Sequence, residues 1–261
     1  MLNNLTMRKL LSVLIISFLL SLESNILVAA NLEEIKQRGK LIVAVKDNVR
    51  PLGFLNKTNQ LQGLEIDLAR QLAQDILGDP QAIILQPVSN QERLQKVIDG
   101  EVDMAIARIT INTSRARLVN FSTYYYLDGT GMITKNPQIQ ALSHLSRSTI
   151  AIINRSSTIA VIRAELPQAQ LIGVNSYQEA LTLLETGQAD AFAADNSILA
   201  GWVQEYPQYR QLPLRLSGEG LGVVMPKGLQ YASLRSRVNL AIRDWKKSGW
   251  LAERAQYWGL P

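Results

Sequence analysis

The 261-residue chain has no cysteine and one histidine. Without thiols there is no disulfide scaffold, no thiolate nucleophile, no iron–sulfur cluster and no Cys-ligated zinc. One imidazole cannot build a multi-histidine metal site, and a Ser/His/Asp triad would have to use this one. It is His144, in the polar stretch Leu142-Ser143-His144-Leu145-Ser146, which reads as a solvated loop. A long apolar segment is missing too. The run at 10–22 covers 13 residues, short of the roughly 18 that a spanning helix needs. No metal and no cofactor is expected. What remains, 47% hydrophobic and 19% charged residues, is the composition of a folded globular protein, with length for one large domain or two lobes.

The apolar run follows Arg8 and Lys9 and precedes Val28-Ala29-Ala30, small residues suited to a signal-peptidase site. Residues 1–30 therefore read as an export signal cleaved after Ala30, with a retained anchor as the weaker reading. No cysteine follows the run, so no lipid can be attached there, and a soluble protein of a bacterial periplasm is expected. The leader holds two of the 27 basic and one of the 22 acidic residues, which leaves 25 and 21, a net charge of +4. The basic residues are scattered through amphipathic segments instead of alternating with aromatics, so no nucleic-acid partner is expected.

In the mature chain, short apolar β-branched runs at 41–45, 82–88, 102–107, 149–153, 171–174 and 189–194 alternate with helical patterns. That alternation predicts an α/β fold with parallel sheets. Residues 65–77 carry apolar side chains three and four apart, and Gly78 follows as a stop. Residues 231–258 are helical with a break at Gly249, and their tryptophans read as packing residues.

Two segments 87 positions apart repeat one another. Gln91-Glu92-Arg93-Leu94 runs on to Gly100-Glu101-Val102-Asp103-Met104-Ala105-Ile106-Ala107. Gln178-Glu179-Ala180-Leu181 runs on to Gly187-Gln188-Ala189-Asp190-Ala191-Phe192-Ala193-Ala194. Each reads as a helix, a glycine stop and a strand. In an α/β sheet the ligand crevice lies beyond the carboxyl ends of the strands, so the next residues, Arg108 and Asp195, fall at a binding edge. One repeat per lobe would set a cation and an anion on facing walls, an arrangement suited to a zwitterion. Crossing segments are expected at 125–129 and 217–221. They make lobe 1 discontinuous (31–124 plus 222–261) around lobe 2 (130–216).

The stretch Val102-Asp103-Met104-Ala105-Ile106-Ala107-Arg108-Ile109-Thr110-Ile111-Asn112-Thr113-Ser114-Arg115, followed by Asn120-Phe121-Ser122 and Tyr124-Tyr125-Tyr126, resembles the polar amino-acid group of the extracellular solute-binding proteins, family 3. Gly39-Lys40-Leu41-Ile42-Val43-Ala44-Val45, Gly63-Leu64-Glu65-Ile66-Asp67-Leu68-Ala69, Ser156-Ser157-Thr158 and Met225-Pro226-Lys227-Gly228 support the likeness in the same order along the chain. The resemblance implies a type II periplasmic-binding-protein fold of two α/β lobes joined by two hinge segments. It also implies a monomer that captures a polar amino acid and delivers it to a membrane ABC permease, without catalysis.

It further implies that Arg115 clamps the ligand α-carboxylate. A guanidinium fork suits that task because it gives two charge-assisted hydrogen bonds at once. By the same likeness Thr110 adds donors, and Ser156, Ser157 and Thr158 offer N–H groups at a helix start. Asp195 takes the α-ammonium. Arg108 stands where some members have Gly. Lys46 falls where an Arg of glutamate/aspartate-binding relatives meets the side-chain carboxylate, although a solvated loop would also explain it. Val49 and Asn90 occupy places where other members carry aromatics that sandwich the ligand side chain. Together these departures favour an acidic or amide side chain. The competing class is an exported cyclohexadienyl dehydratase on the same scaffold. It would need a positioned acid, with Glu65, Glu219 and Asp195 as candidates.

Overall fold

The computed structural model describes residues 30–154 and 156–261. The expected leader lies outside the described residues, apart from its last position. Ala30 is buried, and its N–H donates to Asp103 Oδ1 at 3.0 Å, a contact that cleavage after Ala30 would remove.

In chain order the elements begin with α1 (Leu32–Arg38), β1 (Leu41–Val45), β2 (Asn48–Val49), β3 (Gly53–Leu55), β4 (Leu61–Gln62), α2 (Leu64–Leu77) and β5 (Ile83–Pro87). Then come α3 (Glu92–Ile98), β6 (Met104–Ile106), α4 (Thr113–Ala116), β7 (Asn120–Asp128) and β8 (Thr130–Thr134). Next are β9 (Thr149–Ile153), α5 (Thr158–Glu165), β10 (Gln170–Val174), α6 (Tyr177–Glu185), β11 (Ala191–Asp195) and α7 (Asn196–Glu205). The chain closes with β12 (Arg210–Gln211), β13 (Glu219–Met225), α8 (Ala232–Ser248) and α9 (Trp250–Tyr257).

Two five-stranded sheets carry the molecule, in the orders β5-β1-β6-β13-β7 and β10-β9-β11-β8-β12. Each has three neighbouring parallel strands followed by two antiparallel ones. The expectation of purely parallel sheets is corrected here. β13 (219–225) pairs antiparallel with β6 and β7, and β8 (130–134) pairs antiparallel with β11 and β12, while one continuous run through Gly129 carries the chain from the first sheet to the second.

Read outward from β6 and β11 the two orders coincide, so the sequence repeat is a structural one. Gly100 and Gly187 both take left-handed conformations, at φ 75° and 71°, each one residue past the C-cap of its helix, Asp99 for α3 and Thr186 for α6. That region admits glycine at little cost. Asp103 and Asp190 then accept the N–H of Ile42 and Thr149 on the neighbouring strand, each at 2.8 Å.

The central strands are buried on both faces, which explains their unbroken apolar runs. In β1, Leu41, Val43 and Val45 face one cluster with α2 and α8, while Ile42 and Ala44 face another with Val97 of α3. In β11, Phe192 and Ala194 face α6 and α7, while Ala191 and Ala193 face Ile162 of α5. The C-terminal tryptophans pack as expected. Trp245 Nε1 donates to Asp75 Oδ2 at 3.0 Å, and Trp258 Nε1 donates to Asp67 Oδ2 at 2.8 Å.

The two chain crossings lie side by side, with the Thr130 N–H donating to Ser217 Oγ at 2.9 Å. Asp128, at the end of β7, is buried and accepts the Ser197 N–H at the start of α7 at 3.1 Å. The predicted crossing segment 125–129 is thus mostly strand, and 217–221 runs into β13.

Candidate functional site

Beyond the carboxyl ends of β6 and β11 the two halves meet. Arg108 Nη2 and Asp195 Oδ2 form an ion pair, with side chains 22% and 24% exposed. The cation and anion assigned to facing walls are therefore in direct contact.

Arg108 has φ +50°, in the left-handed region that a residue with a Cβ enters only at a cost. Two buried charges hold it there. Glu65 Oε1 accepts the Arg108 N–H at 2.7 Å, and Arg93 Nη1 donates to the carbonyls of Ala107 and Arg108 at 2.6 and 2.5 Å. Glu65 also accepts a hydrogen bond from the Tyr125 hydroxyl on β7. Burial pushes the Glu65 carboxyl above the ordinary glutamate value, against the pull of Tyr125, the Arg108 amide and the nearby guanidinium charges. Arg93 is pushed down to about 10 by burial and by the charges of Arg115 and Arg108.

Arg115, in the single turn α4, is half-buried, and its Nη1 donates to the Thr110 carbonyl at 2.9 Å. Thr110 itself bridges to Leu221 on β13. Asn112 starts that turn by accepting the Arg115 N–H at 2.9 Å. On the other side, Thr158 is buried in the first turn of α5, and Ser156 Oγ is buried with no partner among the described residues. Ser157 makes no side-chain cap there among the described residues, so its hydroxyl is not committed to the helix.

Lys46 is 3% exposed, and its Nζ donates to the Val88 carbonyl at 2.6 Å. The solvated-loop alternative is corrected: the residue lies in the β1–β2 connection, where Gly53 packs against the Lys46 backbone. Burial lowers its pKa, opposed by Asp47. His144 is exposed in a short 3₁₀ turn, as expected of a loop histidine.

A cavity of about 560 Å³ opens between the halves. Lys46, Val49, Asn90 and Arg108 line one side of it, and Tyr177, Trp202 and Tyr206 line the other. The sequence reading missed this aromatic wall. Tyr177 and Trp202 lie on helices whose apolar positions look like ordinary core, and only the pairing of the two halves turns them toward a cavity. At its edge α7 touches the opposite side so closely that a Cβ on Gly201 would lie 2.2 Å from the Arg50 carbonyl oxygen.

Residues 41–261 match the model of the bacterial extracellular solute-binding proteins, family 3. The chain belongs to this family. It is 36% identical over 195 residues to a glutamine-binding protein of Geobacillus stearothermophilus, covering 74% of either chain. It is 30% identical over 230 residues to an ABC transporter glutamine-binding protein of Bacillus subtilis, covering 87% of this chain and 84% of the relative. Among solved structures it superposes on an ancestral cationic amino acid solute binding protein with a TM-score of 0.73 and 25% identity, covering 87% of this chain and 99% of the other. The fold is the two-lobed type II arrangement of the periplasmic binding proteins, with the cleft between the β6 and β11 edges as its candidate ligand site.

Proposed function

We propose that this solute-binding protein is exported to the periplasm as a monomer and captures a polar L-amino acid between its lobes for delivery to a membrane ABC permease. Lobe 1 comprises residues 31–124 and 222–261, lobe 2 comprises 130–216, and 125–129 with 217–221 form the hinge. Arg115 and Thr110 take the α-carboxylate, assisted by Ser156, Ser157 and Thr158. Asp195 takes the α-ammonium, and Arg108 and Lys46 meet the side-chain end.

One observation carries this reading: Arg108 and Asp195, at equivalent places in the repeat, meet as an ion pair. A zwitterion offers an ammonium to Asp195 and a carboxylate to the guanidinium groups. It thereby replaces one contact between the lobes with two that run through the ligand. Such contacts exist only when the lobes are together, so the ligand favours closure and marks the loaded form for the permease. Buried charged ends must be paired, which selects for α-amino acids.

Lys46, Arg93, Arg108 and Arg115 act on one another electrostatically around Glu65. That surplus of cations supports an acidic or amide side chain, and the two relatives named for glutamine support the amide. The binding role is favoured over catalysis by those relatives. The test is a thermal-shift screen of the twenty L-amino acids. A ligand at a hundredfold excess over its Kd adds about 2.7 kcal/mol to the folded state, so glutamine or glutamate should raise the melting temperature progressively with concentration. A flat response to all twenty would refute the reading, and aromatic product formed from prephenate or arogenate would favour the enzyme.

A further inference from the structure

The helix after β11 belongs to both halves of the molecule. On one face of α7, Leu199 and Trp202 are buried in the apolar cluster of lobe 2, with Val203 and Tyr206 packed against it. The opposite face carries Ser197, Ala200, Gly201 and Gln204, three and four residues apart and therefore in one stripe. All four meet residues outside lobe 2.

Ser197 gives its N–H and its hydroxyl to Asp128 in the first crossing segment. Ala200 is 1% exposed, inside the cluster that β1, α2 and α8 form in lobe 1. A Cβ on Gly201 would lie 2.2 Å from the Arg50 carbonyl oxygen, so a side chain fits there only if helix and loop move apart. Gln204 Nε2 donates to the Trp258 carbonyl at 2.7 Å. Trp258 is itself fixed to lobe 1: its indole N–H donates to Asp67 of α2 at 2.8 Å, and its ring stands edge-on to Phe54 with centroids 5.8 Å apart. Ser197 lies at the hinge, where opening moves little. Gln204 lies seven residues on, about 10 Å along the helix axis, and bridges surfaces that separate when the cleft opens.

We propose that α7 is the closure helix of this protein, and that Gly201 and Gln204 set the affinity for whichever amino acid is bound through the docking of the lobes. The proposal rests on the two-lobed amino-acid reading above. Both residues are positioning residues. Gly201 lets the helix backbone reach the Arg50 carbonyl, and Gln204 ties the far end of the docked face to Trp258. These contacts form only when the lobes are together, so their loss takes the same free energy from every closed complex. Affinity for any ligand that requires closure then falls by one common factor. A side chain that read the ligand would instead discriminate between ligands.

Titration calorimetry of wild type, Gly201→Ala and Gln204→Ala with the two amino acids that give the largest thermal shifts tests the proposal. Gly201→Ala should weaken both ligands by roughly tenfold or more, as crowding of a packed contact does, and by factors equal within about twofold. Gln204→Ala should weaken both by about fivefold, the worth of one neutral hydrogen bond. The melting temperature of Gly201→Ala without ligand should hold or rise, because alanine suits a helix interior better than glycine. Affinity and stability then move in opposite directions, which a merely structural role does not produce. Gln204 is exposed, so its variant keeps the test intact if Gly201→Ala does not fold. Wild-type affinity in both variants, a loss confined to one ligand, or a melting temperature that falls in step with affinity overturns the closure role alone. A wild type that binds none of the twenty amino acids overturns it together with the reading beneath it.

Discussion

Asp103 and Asp190 hold the same place in the two sheets, yet one is sealed and the other open. Each precedes the middle strand of its sheet and accepts an N–H from the strand beside it. Asp103 also takes the Ala30 N–H and an ion pair from Arg38, and it is fully buried, whereas Asp190 is exposed. The same contrast recurs along the repeat. Arg93 of α3, which clamps the Arg108 backbone, corresponds to Ala180 of α6, a plain core residue, and Arg108 corresponds to Asp195. The positions that build the scaffold are kept in both halves, while the positions after the strands differ in charge. Lobe 1 supplies cations and lobe 2 supplies an anion, a helix start and an aromatic wall.

The sharpest break of that division of labour is Arg115→Ala. Removing the cation proposed to meet the ligand carboxylate should leave a buried charge unpaired, at a cost of about 3 kcal/mol or more. Calorimetry should show affinity lost by roughly a hundredfold or beyond, with the melting temperature of the free protein nearly unchanged because, among the described residues, the half-buried side chain donates only to the Thr110 carbonyl.

The paired aspartates come next. In the cleaved chain Asp103→Ala should cost about 2–3 kcal/mol in chemical denaturation, since Arg38 and the Ile42 amide lose a buried acceptor. Asp190→Ala should cost about 1 kcal/mol, the value of one exposed hydrogen bond. Equal losses would mean that burial does not separate the two positions.

Lys46→Ala tests the side-chain end. If the ammonium meets a carboxylate, glutamate should lose several-fold more affinity than glutamine, because a charge-assisted bond is about twice as strong as a neutral one. Equal losses would assign Lys46 to holding the Val88 carbonyl and nothing further.

The smallest effect concerns Glu65. Burial raises its folded pKa above the unfolded value of 4.5. Between those two values the folded state binds more protons than the unfolded one, so this group contributes a loss of stability as pH rises. Glu65→Gln does not titrate. Its melting temperature relative to wild type should therefore climb as pH rises through that window, and a constant difference would show that Glu65 does not change its protonation there.

Much of this was legible before any coordinates. The apolar runs of β1, β9 and β11 and the stripe of α2 reflect burial on two faces or on one, which leaves a periodic record in the chain. The 87-residue repeat marked the places where Arg108 and Asp195 would stand. The antiparallel strands were harder. Residues 120–128 mix Asn, Ser, Thr and three tyrosines, and their partner is a segment about a hundred positions away, so the pairing has no local signature. Arg93 looked like one more charge on an amphipathic helix, because nothing local says that two carbonyls will need its fork. Tyr177 and Trp202 were hidden for the opposite reason: aromatic residues at helical spacing look like core until the two halves are placed together.

The central claim is that groups on opposite lobes grip both charged ends of one amino acid. The direct measurement is a calorimetric comparison of the best amino acid from the screen with its N-acetyl derivative and its α-carboxamide. The N-acetyl form denies Asp195 a cation and the carboxamide denies Arg115 an anion. Each should bind at least a hundredfold more weakly than the parent, and Asp195→Asn should narrow the gap for the acetylated form alone. Derivatives that bind as tightly as the parent would contradict the grip.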